Sequence, residues 1–418
     1  MLNIQIKYLL EDVIFLNKEI TWQIELNDSI NLLFNNKTEH YSEPVFDFNK
    51  PELSTEELEK LYQLSELLLL KKYNVHEIPV DLYKSSPFLK IIHFLVNEFY
   101  IIDKNIRDIH NRISSKNINP AFEKILSVPI VDVLIDLFLL KINNTCIRQK
   151  EIVFTSDFDM INLWTKLGFS RSVKRLLKFN NFSSEFRSFI YSKNKLKFNY
   201  ILNDKMFYLS EHKDFKISNI AFWIVYRNNN THDFKNCFKS RSFTDFLKHL
   251  NNKVIYGLHL AYGTSNEKEK INLQLNKFKD IFSKTPDANR YHYLKFNLPE
   301  DLKLLENEKI KTDFSYCFHD SLLFRGGRTV PVKFWSFIEN RTIDVVSYPI
   351  LFMDVTFSTY IKSDLNEAKI LSGKKIELFQ KYGNTCVLLW HNNNMYKLYE
   401  KNNYHPELFN FIKNKLLK

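Results

Sequence analysis

Residues 150–160 read KEIVFTSDFDM, and the fold turns on this stretch. It is a short apolar strand that ends in acids, Asp157 and Asp159. Residues i and i+2 of a strand face the same side. Two carboxylates that close cannot both sit desolvated without a cation or a proton between them. The pair therefore suits a metal ligand beside a general base. The plain alternative is a polar strand end, or an Asp that caps the next helix.

Downstream, strand-like runs recur: NIAFWIVY, KVIYGLHL, RYHYLKFNL, DFSYCF, VSYPILFMDVTF and NTCVLLWHN. Helical stretches at 243–251, 266–283, 299–308 and 365–382 separate several of them. Such alternation implies a parallel sheet or barrel. In α/β barrels the chemistry lies at the C-terminal ends of strands. The acids of 157–159, His259 and His391 are thus expected at one mouth.

Upstream, residues 1–50 alternate apolar runs with polar turns (IQIKYLL, VIFL, TWQIEL, NLLF) and read as small strands. A helix over 54–72 opens on Ser54 or Thr55 with Glu57 placed for a capping box. Leu58, Leu61, Leu64, Leu68 and Leu69 share one face of it. Further helices are expected at 87–104 and 130–141, and the polar, Pro-bearing 111–128 suits a loop between domains.

At 418 residues the chain is too long for one ordinary core and suggests two domains. A hydrophobic fraction of 44% and a charged fraction of 26% fit a soluble globular protein and argue against disorder. The 59 Lys and Arg exceed the 48 Asp and Glu by 11. These bases are dispersed among Asn, Ile and Phe, which reads as a solvated basic surface. No helix-turn-helix, zinc finger or aromatic RNA motif is visible, so no nucleic acid partner is expected. Cys146, Cys237, Cys317 and Cys386 form no C-x-x-C pair and read as free thiols of a reducing compartment. The N-terminal stretch has acids among its apolar residues and no cleavage site. PIVDVLIDLFLL contains Asp and is too short to span a bilayer, so a cytoplasmic location is expected.

Other residues could carry chemistry. His259, in YGLHLAYGTS, follows an apolar strand, where an imidazole could ligate a metal or simply be structural. Arg290 and His292, in NRYHYLKF, can face one side; the alternative is a surface basic cluster. His391 closes VLLWH and could protonate a leaving amine or act as a cap. FRGGR at 324–328 holds the one Gly-Gly, which allows φ > 0. Arg325 or Arg328 could bind substrate or a carboxylate, or lie exposed on a tight turn.

In this order the motifs resemble the polysaccharide deacetylase (NodB-homology, carbohydrate esterase family four) superfamily. They are most similar to a divergent bacterial branch with an uncharacterised N-terminal domain. The resemblance covers about 150–400 and is carried by TSDFDM, GLHLAYGTS, NRYHYLKF, FRGG, YPILFMDVTF and VLLWHNN. It implies an α/β fold: an irregular (β/α) barrel over 146–418, preceded by a smaller α/β domain of unknown role over 1–145. By the match, Asp157 is the base, Asp159 a metal ligand, Arg290 the orienter of the base and His391 the acid. Tyr262 and Arg325 become candidates for substrate contact. The superfamily's second motif usually has two His four residues apart, but here the position four after His259 is Gly263. His292 is the candidate third ligand, with Asp159 and His259. The implied reaction is hydrolysis of an N-acetyl group on a sugar or cell-envelope glycan precursor, with Zn²⁺ as the cofactor and Co²⁺, Ni²⁺ or Fe as other options. Competing readings are a glycan-binding relative that has lost the metal, and a basic nucleic-acid-binding protein.

Overall fold

The computed structural model describes residues 21–24, 29–34, 37–42, 52–69, 88–101, 103, 107–141, 150–161, 204–228, 232–234, 236, 238–239, 241–250, 253–395 and 403–418. The chain divides into two compact units. One gathers 1–151, 297–351 and 374–386, and the other 152–296, 352–373 and 387–418.

The first unit opens with a small antiparallel sheet of β1 (Thr21–Ile24), β2 (Ser29–Phe34) and β3 (Lys37–Ser42). β1 and β2 fall on the expected TWQIEL and NLLF runs, and β3 was not anticipated; IQIKYLL and VIFL lie outside the described residues. Helix α1 (Thr55–Leu69) starts on the capping box. The Ser54 amide donates to Glu57 Oε2 at 2.6 Å, and the Glu57 amide to Ser54 Oγ at 3.2 Å. Leu61, Leu64 and Leu68 are buried, but Leu69 is 38% exposed, so the apolar face is narrower than expected. The next helix, α2 (Phe88–Val96), stops well short of residue 104. Glu98 takes a left-handed φ of 60°, which a continuing helix cannot accommodate. Helix α3 (Ile130–Lys141) matches its expected span, and three short 3₁₀ turns occupy 115–127.

The large sheet is built from β4 (Glu151–Phe158), β5 (Lys216–Trp223), β6 (Ile255–Leu260), β7 (Asn289–Tyr291), β8 (Thr312–Tyr316), β9 (Val332–Ser336), β10 (Arg341–Met353) and β11 (Thr385–His391). Its order is β11-β4-β5-β6-β7-β8-β10-β9, and β11 also pairs with β10. Seven strands thus close into a parallel barrel, and β9 folds back antiparallel on β10. Helices α4 (Arg241–Leu250), α5 (Lys268–Phe282), α6 (Glu300–Asn307) and α7 (Leu365–Tyr382) fall between strands as the alternation requires, and α8 (His405–Leu416) follows the last. From Ile152 to Phe158 every residue of β4 is buried, the apolar Ile152–Phe154 as well as the polar Thr155, Ser156 and Asp157. Strand β7 is shorter than RYHYLKFNL suggested, because Tyr293 and Leu294 take φ of 62° and 54° and turn the chain. β9 was not anticipated.

Gly326 and Gly327 adopt φ of 66° and 64°, as the Gly-Gly reading anticipates. A Cβ at Gly327 would meet Ile130 Cγ2 at 2.7 Å, so this turn needs glycine for space as well as conformation. Cys317 and Cys386 are buried thiols, and Cys146 and Cys237 lie outside the described residues. Among the described residues, no helix is long and apolar enough to cross a membrane.

One buried lysine makes stability in the first unit depend on pH. Lys375 is 5% exposed; its Nζ donates to the Leu322 carbonyl at 2.6 Å and lies 4.5 Å from the Phe324 ring centroid. Burial pushes the amine down to about 7, against the opposing influence of the Cys317 and Cys386 sulfurs. The unfolded chain keeps this proton up to about pH 10.4. Between these limits the unfolded state binds more protons, so stability rises with pH across the window and is lowest below it. Lys375→Met should flatten that rise and stabilise the protein at pH 7 by on the order of a few kcal/mol. Melting curves from pH 6 to 10 check this; parallel profiles for the two proteins would contradict it.

Candidate metal centre and active site

The second unit brings six of the eight sequence-selected residues together. Asp157 is in β4 and Asp159 follows it; His259 is in β6; Arg290 is in β7 and His292 follows it; His391 ends β11. All lie at the C-terminal ends of parallel strands, as a barrel requires. Phe158 points away from the two acids and stacks on Trp223, with ring centroids 4.0 Å apart. Strand alternation therefore turns both carboxylates to one side.

Arg290 clamps the first acid. Its Nη1 donates to Asp157 Oδ1 at 2.5 Å and its Nη2 to Thr155 Oγ1 at 2.8 Å, while its guanidinium carbon lies 4.3 Å from the Phe222 ring centroid. Arg290 and Asp157 are both buried, at 0% and 2% exposure, so the pairing of charges is obligatory.

His259 sits opposite Arg290 in the β6–β7 register. Its Nδ1 lies 2.9 Å from the Arg290 carbonyl, which can only accept, so Nδ1 carries the hydrogen. The Nε2 lone pair then faces Asp159 Oδ1 at 3.1 Å and Asp157 Oδ2 at 3.3 Å. Acceptors thus meet acceptors: His259 Nε2 and Asp159 Oδ1 are both buried and have no hydrogen-bond partner. Such an arrangement calls for a cation or a proton between the groups. His292 completes it, with Nε2 3.4 Å from Asp159 Oδ2 and Nδ1 2.8 Å from Asp233 Oδ1. Ligand atoms of Asp159, His259 and His292 lie within 4.8 Å of one another, and a buried carboxylate with two imidazoles is a donor set that holds a divalent cation.

His391 faces the same acid, its Nε2 3.7 Å from Asp159 Oδ2. Its Nδ1 bonds Asp354 Oδ1 at 2.7 Å and its amide donates to Asp354 Oδ2 at 2.8 Å. Asn394 Nδ2 donates to the same Asp354 oxygen at 2.8 Å. Asp354 follows β10 and leads into a π-helical turn, Thr356–Ile361, a local widening that often accompanies functional sites.

Four carboxylates (Asp157, Asp159, Asp233, Asp354) meet one permanent cation, Arg290, and the histidines respond. Burial works to lower His292, but Asp159 and then Asp233 outweigh it and push it up to about 9. Burial opposes His391 likewise, yet Asp354, followed by Asp159 and Asp157, pushes it up to about 10. Burial would raise Asp354, but His391 brings it down to about 2. Asp159 is held well below the usual carboxylate range, because the attraction of His292 and the other imidazoles overcomes its burial.

The two substrate candidates sit differently. Tyr262 is half-buried beside the cluster; its amide donates to Asp233 Oδ1 at 2.9 Å and its ring packs on His232 with centroids 4.1 Å apart. Arg325 belongs to the first unit and is buried there in a two-pronged bond to Glu98, at 2.5 and 3.1 Å. Gly263 takes φ +79°, so the backbone itself explains glycine there, and a histidine at 263 would be strained. Sequence reasoning assigned no role to Thr155, Asp233 or Asp354. Thr155 lies two residues before Asp157 on the same strand face, and Asp354 ends an apolar run, so both had a signal. Asp233 lies in NNNTHDFKN, which has none.

No family model and no curated protein matches the sequence. Among solved structures, the chain is similar to one described as a "putative polysaccharide deacetylase from Mycobacterium smegmatis". The identity is 13% and the TM-score 0.37, covering 65% of this chain and 85% of that one.

Proposed function

We propose that the chain is a metal-dependent carbohydrate N-deacetylase, which hydrolyses an N-acetyl group on a sugar or glycan precursor. The observation that carries this reading is the pair of buried acceptors, His259 Nε2 and Asp159 Oδ1, facing each other at 3.1 Å without a hydrogen bond. Asp159, His259 and His292 would hold the cation, with Zn²⁺ the best match to this donor set. Such a cation supplies Lewis-acid polarisation of the amide carbonyl and activation of water.

The remaining roles follow from the chain's own groups. Asp157 takes the proton of the attacking water; Arg290 fixes its Oδ1 and leaves Oδ2 on the side of His259. His391, oriented through Nδ1 by Asp354, hands its Nε2 proton to the departing amine. Atoms balance: water adds across the C–N bond, giving acetate and a free amine. Tyr262 is the substrate contact next to the cluster. A cytoplasmic site would meet nucleotide- or lipid-linked precursors of an envelope glycan rather than finished polymer.

Metal analysis of the purified chain tests the core of this. One divalent ion per chain is expected, with acetate release lost on chelation and restored by Zn²⁺, Co²⁺ or Ni²⁺. A chain that holds no ion, and that none of these activates, would instead be a metal-free glycan-binding relative, the reading Gly263 favours.

A further inference from the structure

We infer that Asp233 is the positioning residue that makes His292 a metal ligand, tying it to the turn after His259; this rests on the metal-dependent reading above. His259 needs no such help. It sits inside β6, and a carbonyl of the neighbouring strand fixes its Nδ1. His292 lies just beyond β7, on a turn whose next two residues are left-handed, so no strand ladder holds it. Its ring needs a second anchor to present Nε2 to a cation.

Asp233 supplies that anchor. It is 1% exposed, on the segment after β5. A single oxygen, Oδ1, accepts from His292 Nδ1 at 2.8 Å and from the Tyr262 amide at 2.9 Å. A carboxylate only accepts, so Nδ1 carries the hydrogen and Nε2 is left to face Asp159 Oδ2 at 3.4 Å. Carboxylate–imidazole–metal relays of this kind fix the ring and strengthen it as a donor. The second bond registers the 261–264 turn, three residues after His259, to the same oxygen. One carboxylate thus ties the His292 ring to the turn that follows β6. This explains how the third donor can come from a turn after β7 while Gly263 occupies the place four after His259.

The test is Zn²⁺ affinity of the full chain, stripped of metal and titrated against a chromophoric chelator, with melting temperature measured in parallel. Asp233→Ala should weaken Zn²⁺ binding by about 10–100-fold. In a His292→Ala background the same change should cost nothing further, because the effect passes through that ring. Asp233→Asn, which keeps an acceptor but not the charge, should lie between wild type and Asp233→Ala. Wild-type affinity in a folded Asp233→Ala protein overturns the inference, as does an undiminished loss in the His292→Ala background. If Asp233→Ala does not fold, wild-type affinity in Asp233→Asn overturns it equally. A merely structural residue would lower the melting temperature and leave the affinity alone. Failure of the wild-type chain to take up Zn²⁺ sinks the metal reading itself and this inference with it.

Discussion

Asp157→Asn should cut acetate release by about 10²–10⁴-fold while Zn²⁺ uptake persists. Asparagine keeps an oxygen where Arg290 Nη1 now bonds Oδ1, so the clamp retains its geometry. It puts an amide where Oδ2 stands, 3.3 Å from His259 Nε2, and that group cannot take a proton from water. The cation ligands Asp159, His259 and His292 are untouched. The variant is not free of structural cost, because Arg290 is fully buried and loses its anionic partner. Removing one member of a buried pair costs about 3–5 kcal/mol, and the retained acceptor places this variant at or below the low end. The expected protein melts earlier, binds metal and is inactive. Wild-type turnover with saturating metal would remove Asp157 from the mechanism; lost metal uptake would make it a ligand instead of a base.

The parallel strand order was legible because each strand is a short apolar run between helical stretches; that alternation fits an open sheet as well as a barrel, and closure was implied only by the resemblance. Asp157, Asp159, His259 and His391 were legible for the same reason: each lies at or next to the C-terminal end of a strand, where parallel barrels collect chemistry. His292 was readable from its i, i+2 spacing to Arg290 and from the glycine four residues after His259. What was hidden is what depends on distance in sequence. Asp354 meets His391 across 37 positions, and Asp233 meets His292 across 59. A carboxylate after an apolar run, or in an Asn-rich segment, does not disclose which imidazole it will hold. Local backbone strain was equally silent. Nothing in RYHYLKF announces that Tyr293 and Leu294 turn left-handed and end the strand, yet that turn lifts His292 off the ladder. Arg325 shows the same limit in the other unit. A guanidinium beside Gly-Gly reads as an exposed turn or a substrate contact, and its partner Glu98 stands 227 positions upstream.

That partnership yields the largest expected effect on stability. Glu98→Ala should destabilise the protein by about 3–5 kcal/mol, the range for stripping one partner from a buried ion pair. Arg325 and Glu98 are 7% and 2% exposed, and the guanidinium also donates to the Cys317 carbonyl at 3.1 Å and lies 4.7 Å from the Tyr316 ring centroid. Without Glu98 the charge would lose its carboxylate in a place water barely reaches. Arg107, already pushed down by its own burial and by the charge of Arg325, would add repulsion. Replacing both partners with apolar residues, Glu98→Leu with Arg325→Met, should recover much of the loss, since no buried charge then remains. Arg325→Lys separates this role from substrate contact. Lysine keeps the charge but not the two-pronged geometry. An ion-pair role predicts a lower melting temperature with KM unchanged. A substrate contact predicts a raised KM with little change in melting, and that result would return Arg325 to the active site.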